Sequence, residues 1–244
     1  ADFVRYRIRI EAQDIANSGW NYKSASSFIT LSFWIKSSVA KSFKGHFHAV
    51  DGTQQGYPFE TGSLTADTWT KITKTIPGNS NLTFNNDNAL GLEISIYGYI
   101  GTDYTDSGVS LNAWAAWSSS TYTTDDTSTW WTTNDATLEL TGVQLEVGDT
   151  ATSFEHRSFG DELARCQRYF YQYVDASLYG SGIAPLCVVI GYQNNNAFGT
   201  TEFPVTMRAT PTLVHVEGTG FFKILRNAGT GDLNALTLHN IGRN

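Results

Sequence analysis

Apolar residues recur at every second position along most of this chain and at helical spacing only once. That pattern confines it to stacked β-sheets with a single helical interruption, an all-β fold. From Thr30 to Lys36, Leu31, Phe33 and Ile35 alternate with Ser32, Trp34 and Lys36. From Leu92 to Ile100, Leu92, Ile94, Ile96 and Ile100 alternate with Glu93, Ser95, Tyr97 and Tyr99. Successive side chains of a strand point to opposite faces, so each aliphatic set belongs to a sandwich core and the other set to the outside. Between Leu138 and Val147 the apolar parity changes, from Leu138 and Leu140 to Val143, Leu145 and Val147, with Gly142 at the change. A one-residue slip turns every side chain over, so a β-bulge at Thr141 and Gly142 is expected. Thr102 to Asp135, rich in Asp, Ser, Thr and Trp and without clean periodicity, reads as long loops containing at most a short strand.

The helical pattern starts at Ser158, which forms an S-x-x-D capping box with Asp161, and carries Phe159, Leu163, Cys166 and Phe170 on one side. A helix of about a dozen residues is marginal alone. Its apolar side must therefore pack, either back on the chain's own β-domains or about a fibre axis where three copies meet. Phe159, Leu163, Cys166 and Phe170 are the candidate neck of such a homotrimer. Beyond it, Tyr171 to Asp175, Pro185 to Tyr192, Phe198 to Val205, Thr212 to Glu217, Gly220 to Leu225 and Asn234 to Leu238 read as short strands of a second β-sandwich. The organisation expected is a β-sandwich over 1–156, a connecting helix over 157–171 and a smaller sandwich over 172–244, whose last strands are expected to lie beyond Asn244.

Composition narrows the functional classes. Only 16% of the 244 residues are charged, against roughly 25% in typical domains, while 14% are aromatic, with 7 Trp and 12 Tyr. Such a surface suits glycan contacts or subunit interfaces. The net charge of -7 disfavours nucleic acid, because no basic patch stands ready to release counterions from a phosphate backbone. No apolar run approaches the roughly 20 residues that insertion into a bilayer requires, and the N-terminus reads as a strand, with Arg5, Arg7 and Arg9 alternating against Tyr6, Ile8 and Ile10, instead of an apolar leader. Cys166 and Cys187 lack companion ligands and are expected as buried free thiols of a protein assembled in a reducing cytoplasm.

Catalytic and metal signals are weak. His46 and His48 stand two apart on an expected strand, but no further ligands lie nearby, and outward polar positions are the default. Paired carboxylates such as Asp125 and Glu139 exist, as they do in any chain with 23 acidic residues. No nucleophile elbow, phosphate loop or HExxH motif occurs, so no enzyme activity is expected. The aromatic residues are the better candidates: Trp34, Tyr97 and Tyr99 on outer faces can stack on sugar rings while Glu93 or Lys36 bonds hydroxyls, or the same residues can cover a subunit interface. Trp114, Trp117, Trp130 and Trp131 form a second candidate surface, or plug the sandwich end.

The run Leu138 to Phe170, LELTGVQLEVGDTATSFEHRSFGDELARCQRYF, resembles the GVQLEVG…ATxFExRxxxxELxxCQRYY junction of bacteriophage tail-fibre and related tail proteins. Gly142, Val143, Gln144, Leu145, Glu146, Gly148, Ala151, Thr152, Phe154, Glu155, Arg157, Glu162, Leu163, Cys166, Gln167, Arg168 and Tyr169 fall in register, with Ser153 where that family usually has Pro and Phe170 where it often has Tyr. Arg9-Ile10-Glu11, Leu31 to Ser37 and Asn86 to Leu90 are similar to pieces of its carbohydrate-binding-module-like jelly roll, and Phe203 to Thr212 to its C-terminal β-domain. The resemblance implies a jelly roll over 1–156 that lacks its first strand, so that Ala1 is expected to start inside a longer gene product. It further implies a non-catalytic virion protein of the tail, assembled in the host cytoplasm, trimeric, with other phage tail proteins and a host cell-surface glycan as partners. Modules of that kind often hold a structural calcium, for which Glu11, Asp14, Glu139 and Glu146 offer oxygens; no other cofactor is expected. Two rivals remain: a glycan-binding module of a secreted polysaccharide-degrading enzyme, which the helix and second sandwich argue against, and a purely structural virion scaffold.

Overall fold

A computed structural model of the chain describes residues 2–173, 187–193, 196–214, 222–226 and 229–233. They fall into two units, Ala1–Glu155 and His156–Asn244.

In the first unit the alternating segments form two antiparallel sheets. One has five strands, in the order β1 (Phe3–Glu11), β6 (Leu90–Ile100), β3 (Ser42–Ala49), β4 (Gln55–Ser63) and β7 (Ala115–Ala116). The other has three, in the order β5 (Thr70–Pro77), β2 (Phe28–Ser37) and β8 (Leu138–Val147). Leu31, Phe33 and Ile35 of β2 and Leu92, Ile94 and Ile96 of β6 join Phe43, Phe47, Phe59, Ile72 and Ile76 in one buried cluster between the sheets. Both strand parities are as the alternation requires. A short helix α1 (Ala12–Ala16) follows β1 and buries Ala12 and Ile15. The 102–135 segment carries a 3-10 turn (Thr102–Tyr104), the two-residue β7 and the helical turn α2 (Thr129–Thr132).

The expected bulge is present. Ser32 pairs with Gln144 and Trp34 with Thr141, so Gly142 and Val143 stand against Phe33 alone. Gly142 has φ +59°, the left-handed conformation of this bulge type. The slip returns Val143 and Leu145 to the core side, where both pack against the cluster.

A second bulge corrects the reading of β6. Arg5 pairs with Tyr97 but Val4 with Tyr99, so Gly98 is looped out and the two faces exchange beyond it. Ile100 is consequently paired with Phe3 and buried outside the inter-sheet cluster. Gly98 is the residue that permits this, because a Cβ there would come within 3.0 Å of the Trp130 ring.

In the second unit helix α3 (Phe159–Gln167) begins at Ser158, whose hydroxyl oxygen accepts from the Asp161 N–H at 3.2 Å and donates to its carboxylate at 2.7 Å. It is followed by two antiparallel hairpins, β9 (Val189–Gln193) with β10 (Asn196–Gly199) and β11 (Phe222–Arg226) with β12 (Gly229–Leu233). The strand expected over Phe198 to Val205 ends at Gly199, before a non-strand stretch to Val214, and the pairing of Gly229 to Leu233 was not anticipated. The expected strand at Asn234 to Leu238 and parts of those at Tyr171 to Asp175, Pro185 to Tyr192, Thr212 to Glu217 and Gly220 to Leu225 lie outside the described residues. Cys166 and Cys187 are free as expected, but both are exposed, not buried.

The bulge in β8 makes a stability prediction. A Cβ on Gly142 meets Trp34 Cδ1 at 3.3 Å in a backbone conformation that β-branched residues avoid. Gly142→Val should lower unfolding free energy by about 1–3 kcal/mol, read as a lower urea midpoint with an unchanged slope.

Candidate functional site

The register of the five-stranded sheet sets the composition of its outer face. Arg5, Arg7 and Arg9 of β1 stand against Tyr97, Ser95 and Glu93 of β6, and the latter two stand against His46 and His48 of β3. His46 in turn faces Pro58 and His48 faces Gly56 of β4. Every second residue of these strands is thus polar or aromatic and points away from the core.

Most of this face is covered. Glu93 is buried and accepts from Arg5 Nη1 and Arg9 Nε, each at 3.1 Å, with Arg7 Nη1 at 3.9 Å. Arg5 also donates to Ser95 Oγ at 3.1 Å. The Tyr97 hydroxyl lies 3.2 Å from His46 Nδ1. His46 Nε2 is buried and has no hydrogen-bond partner among the described residues. Burial pushes Tyr97 above its ordinary value and drives His46 from 6.5 down to about 3, with the nearby His48 and Arg5 adding to the latter shift. His48 is lowered too, by burial first.

An aromatic wall rises beside these histidines. The Trp117 ring lies flat on His48, 3.7 Å between centroids at 11°, while His48 Nε2 meets Gln54 Oε1 at 3.0 Å. Tyr122 stacks on Trp117 at 4.8 Å and Tyr104 on Tyr122 at 4.9 Å. Gly56 allows this arrangement, since a Cβ there would sit 2.9 Å from Trp117 Cε3. The far side of the wall borders a cleft of about 220 Å³ lined by Gly56, Pro58, Val109, Ala115, Trp117 and Tyr122. Lys41 Nζ fixes the loop from behind through Asp126 at 2.7 Å and the Thr127 carbonyl at 3.1 Å. Pre-placed rings, half-buried polar groups and a small cleft make an arrangement of the kind that can contact a ligand.

The structure separates the candidates that sequence parity had grouped. Glu93 and Tyr97 lie on the outer face of the five-stranded sheet, but Tyr97 is fully buried and Glu93 is engaged by arginines. Tyr99 lies past the Gly98 bulge and stacks on Trp131 at 5.4 Å. Trp34 and Lys36 belong to the other sheet. There Trp34 is 41% exposed beside the Gly142 bulge, while Lys36 pairs with Glu139 at 2.7 Å and lies 5.3 Å from the Trp69 ring. The two outer faces are on opposite sides of the sandwich, so the five residues do not form one site.

Trp114 and Trp130 pack against the core and donate their indole N–H groups to the Pro77 and Thr137 carbonyls, as plugs do. His46, expected to face solvent, is buried under the aromatic wall. Of the carboxylates considered for calcium, Glu11 is buried and accepts from Gln13, Asp14 is exposed, Glu139 binds Lys36 and Glu146 accepts from Thr152. Among the described residues no three metal-ligating groups gather. Asp125 accepts from Thr105 in the loop over the five-stranded sheet, whereas Glu139 sits on the other sheet, so they make no catalytic pair. On α3, Leu163 is 42% exposed, Phe159 81% and Phe170, just past its end, 70%, with Cys166 also exposed. No described helix is long and apolar enough to cross a membrane.

Comparison with protein-family models, with curated proteins and with solved structures found no match.

The buried imidazole predicts a pH dependence. In the unfolded chain His46 takes up a proton below its ordinary 6.5, whereas in the fold it does so only near 3. Stability is therefore complete above pH 6.5 and falls as pH drops, by about 1.4 kcal/mol per pH unit for one such group, with His48 adding in the same sense. Glu60, held low chiefly by its bond from Lys44, contributes only below its ordinary 4.5. Urea titrations between pH 6.5 and 4.5 should show a steep loss for the native chain and a shallower one for His46→Gln.

Proposed function

We propose that this chain is a non-catalytic recognition component of a phage tail that binds a host surface glycan on the outer face of its five-stranded sheet. The observation that carries this reading is the flat stack of Trp117 on His48, continued by Tyr122 and Tyr104, on the sheet face that also carries the exposed Gln54, Arg7 and Arg9. Sugar rings present apolar faces edged with hydroxyls, and a wall of aromatic rings beside hydrogen-bonding groups meets both. The junction sequence from Leu138 to Phe170 supports the phage assignment.

A second reading, a scaffold that meets other virion proteins or its own copies, is favoured by the exposed Phe159, Leu163 and Phe170 at α3.

Three measurements test this. On an array of bacterial surface polysaccharides the chain should bind a subset, and Trp117→Ala should weaken binding by about 1 kcal/mol or more. Trp34→Ala, on the opposite side, should leave binding unchanged; the reverse ranking would move the site to the three-stranded sheet. Bound polysaccharide should release no reducing ends over time, and depolymerisation would overturn the non-catalytic assignment. Light scattering should report a trimer that Leu163→Ser with Phe170→Ser converts to monomers; a trimer that survives places the contacts elsewhere.

A further inference from the structure

The outer face of the five-stranded sheet carries an imbalance of charge that a neutral sugar would not require. Arg5, Arg7 and Arg9 stand at alternate positions of β1, and among the described residues Glu93 is the one carboxylate ion-paired with any of them. Two positive charges are left over in a chain whose net charge is -7. Lys44 and Glu60, on the same face, neutralise each other at 2.8 Å. His46 and His48 are held below their ordinary value and add no charge at neutral pH.

The three arginines are not equivalent. Arg5, with its side chain 16% exposed, is committed to Glu93 and Ser95. Arg7 is 39% exposed and only 3.9 Å from Glu93, and Arg9 is 55% exposed with a single nitrogen on that carboxylate. Both retain guanidinium N–H groups for a further anion. They lie about 7 Å apart along β1, and two strand spacings, about 10 Å, separate them from His48 under Trp117.

We propose that this face takes an acidic saccharide, its carboxylate on the exposed Arg7 and Arg9 and its ring extending across the sheet towards Trp117. The inference rests on the glycan reading above and adds the ligand's chemical class. A neutral sugar would leave the guanidinium groups partly desolvated without a counter-charge. A carboxylate replaces the lost water with charge-assisted bonds.

Calorimetry separates the outcomes. The probes are hexasaccharides of galacturonate and of mannuronate, their methyl esters, maltohexaose, and a hexaglutamate peptide. The acidic hexasaccharides should bind, with affinity falling as salt rises. Esterification, or Arg7→Gln, should weaken binding at least about tenfold, the variant at unchanged melting temperature because Arg7 makes the longest contact to Glu93. Arg7→Gln with Arg9→Gln should weaken binding further and lower the melting temperature, because Arg9 bonds buried Glu93 directly. Equal binding of acids and esters, insensitive to the arginine variants, would overturn the acidic class and leave the glycan reading standing. Hexaglutamate binding as tightly as the sugars would make the face a general anion surface and overturn the saccharide. If no saccharide, acidic or neutral, binds at millimolar concentration, both readings fall.

Discussion

Everything in the first unit hangs on one apolar contact, the facing of Leu31, Phe33 and Ile35 by Phe47, Ile94 and Ile96 across the two sheets. Each of these side chains is at most 2% exposed, and burying one such residue contributes about 1.5–3 kcal/mol. Once that contact is made, strand parity leaves no freedom: Arg5, Arg7, Arg9, Glu93, Ser95, His46 and His48 must point the other way. The polar face is a by-product of the core register.

That face would be an ordinary wet surface were it not for the long 102–135 segment. By laying Tyr104, Trp117 and Tyr122 over the sheet, the segment buries His46 and Tyr97 and removes water from them. Burial then sets the chemistry: the imidazole stays neutral, the phenol stays protonated, and Glu93 sits in a nest of guanidinium groups. A buried carboxylate without those partners would cost several kcal/mol, so the arginines secure the floor as much as they decorate it. The loop itself is tied down by a nearly buried ion pair, Lys41 with Asp126, and by the Trp114 and Trp130 indoles.

Sequence periodicity reached the core because burial acts on every second residue and leaves a mark at each one. Leu31, Phe33, Ile35, Leu92, Ile94 and Ile96 are buried as their spacing requires, and the parity change at Gly142 announced its bulge. The bulge at Gly98 gave no such mark, because its flanking Tyr97, Tyr99 and Ile100 are apolar enough for either side. Grouping Trp34 with Tyr97 failed for a different reason: parity tells inside from outside on one strand but not which sheet the strand joins. The arginine row was visible as an alternation in β1, yet its meaning depends on Glu93, more than eighty residues away. Contacts made by Trp117 through a non-periodic loop leave no periodic trace at all.

The four open sides of the two sheets are each spoiled for pairing in a different way. β1 presents arginines, β5 presents Lys71 and Lys74, β7 is only two residues long, and β8 is kinked by its glycine bulge. Charge, shortness and bulging are the devices that stop one sheet from extending into another. In a chain with only 16% charged residues, long-range repulsion between copies is weak. Protection against runaway β-polymerisation therefore has to reside in the strand edges themselves, where shortness and bulging need no charge and are not screened by salt.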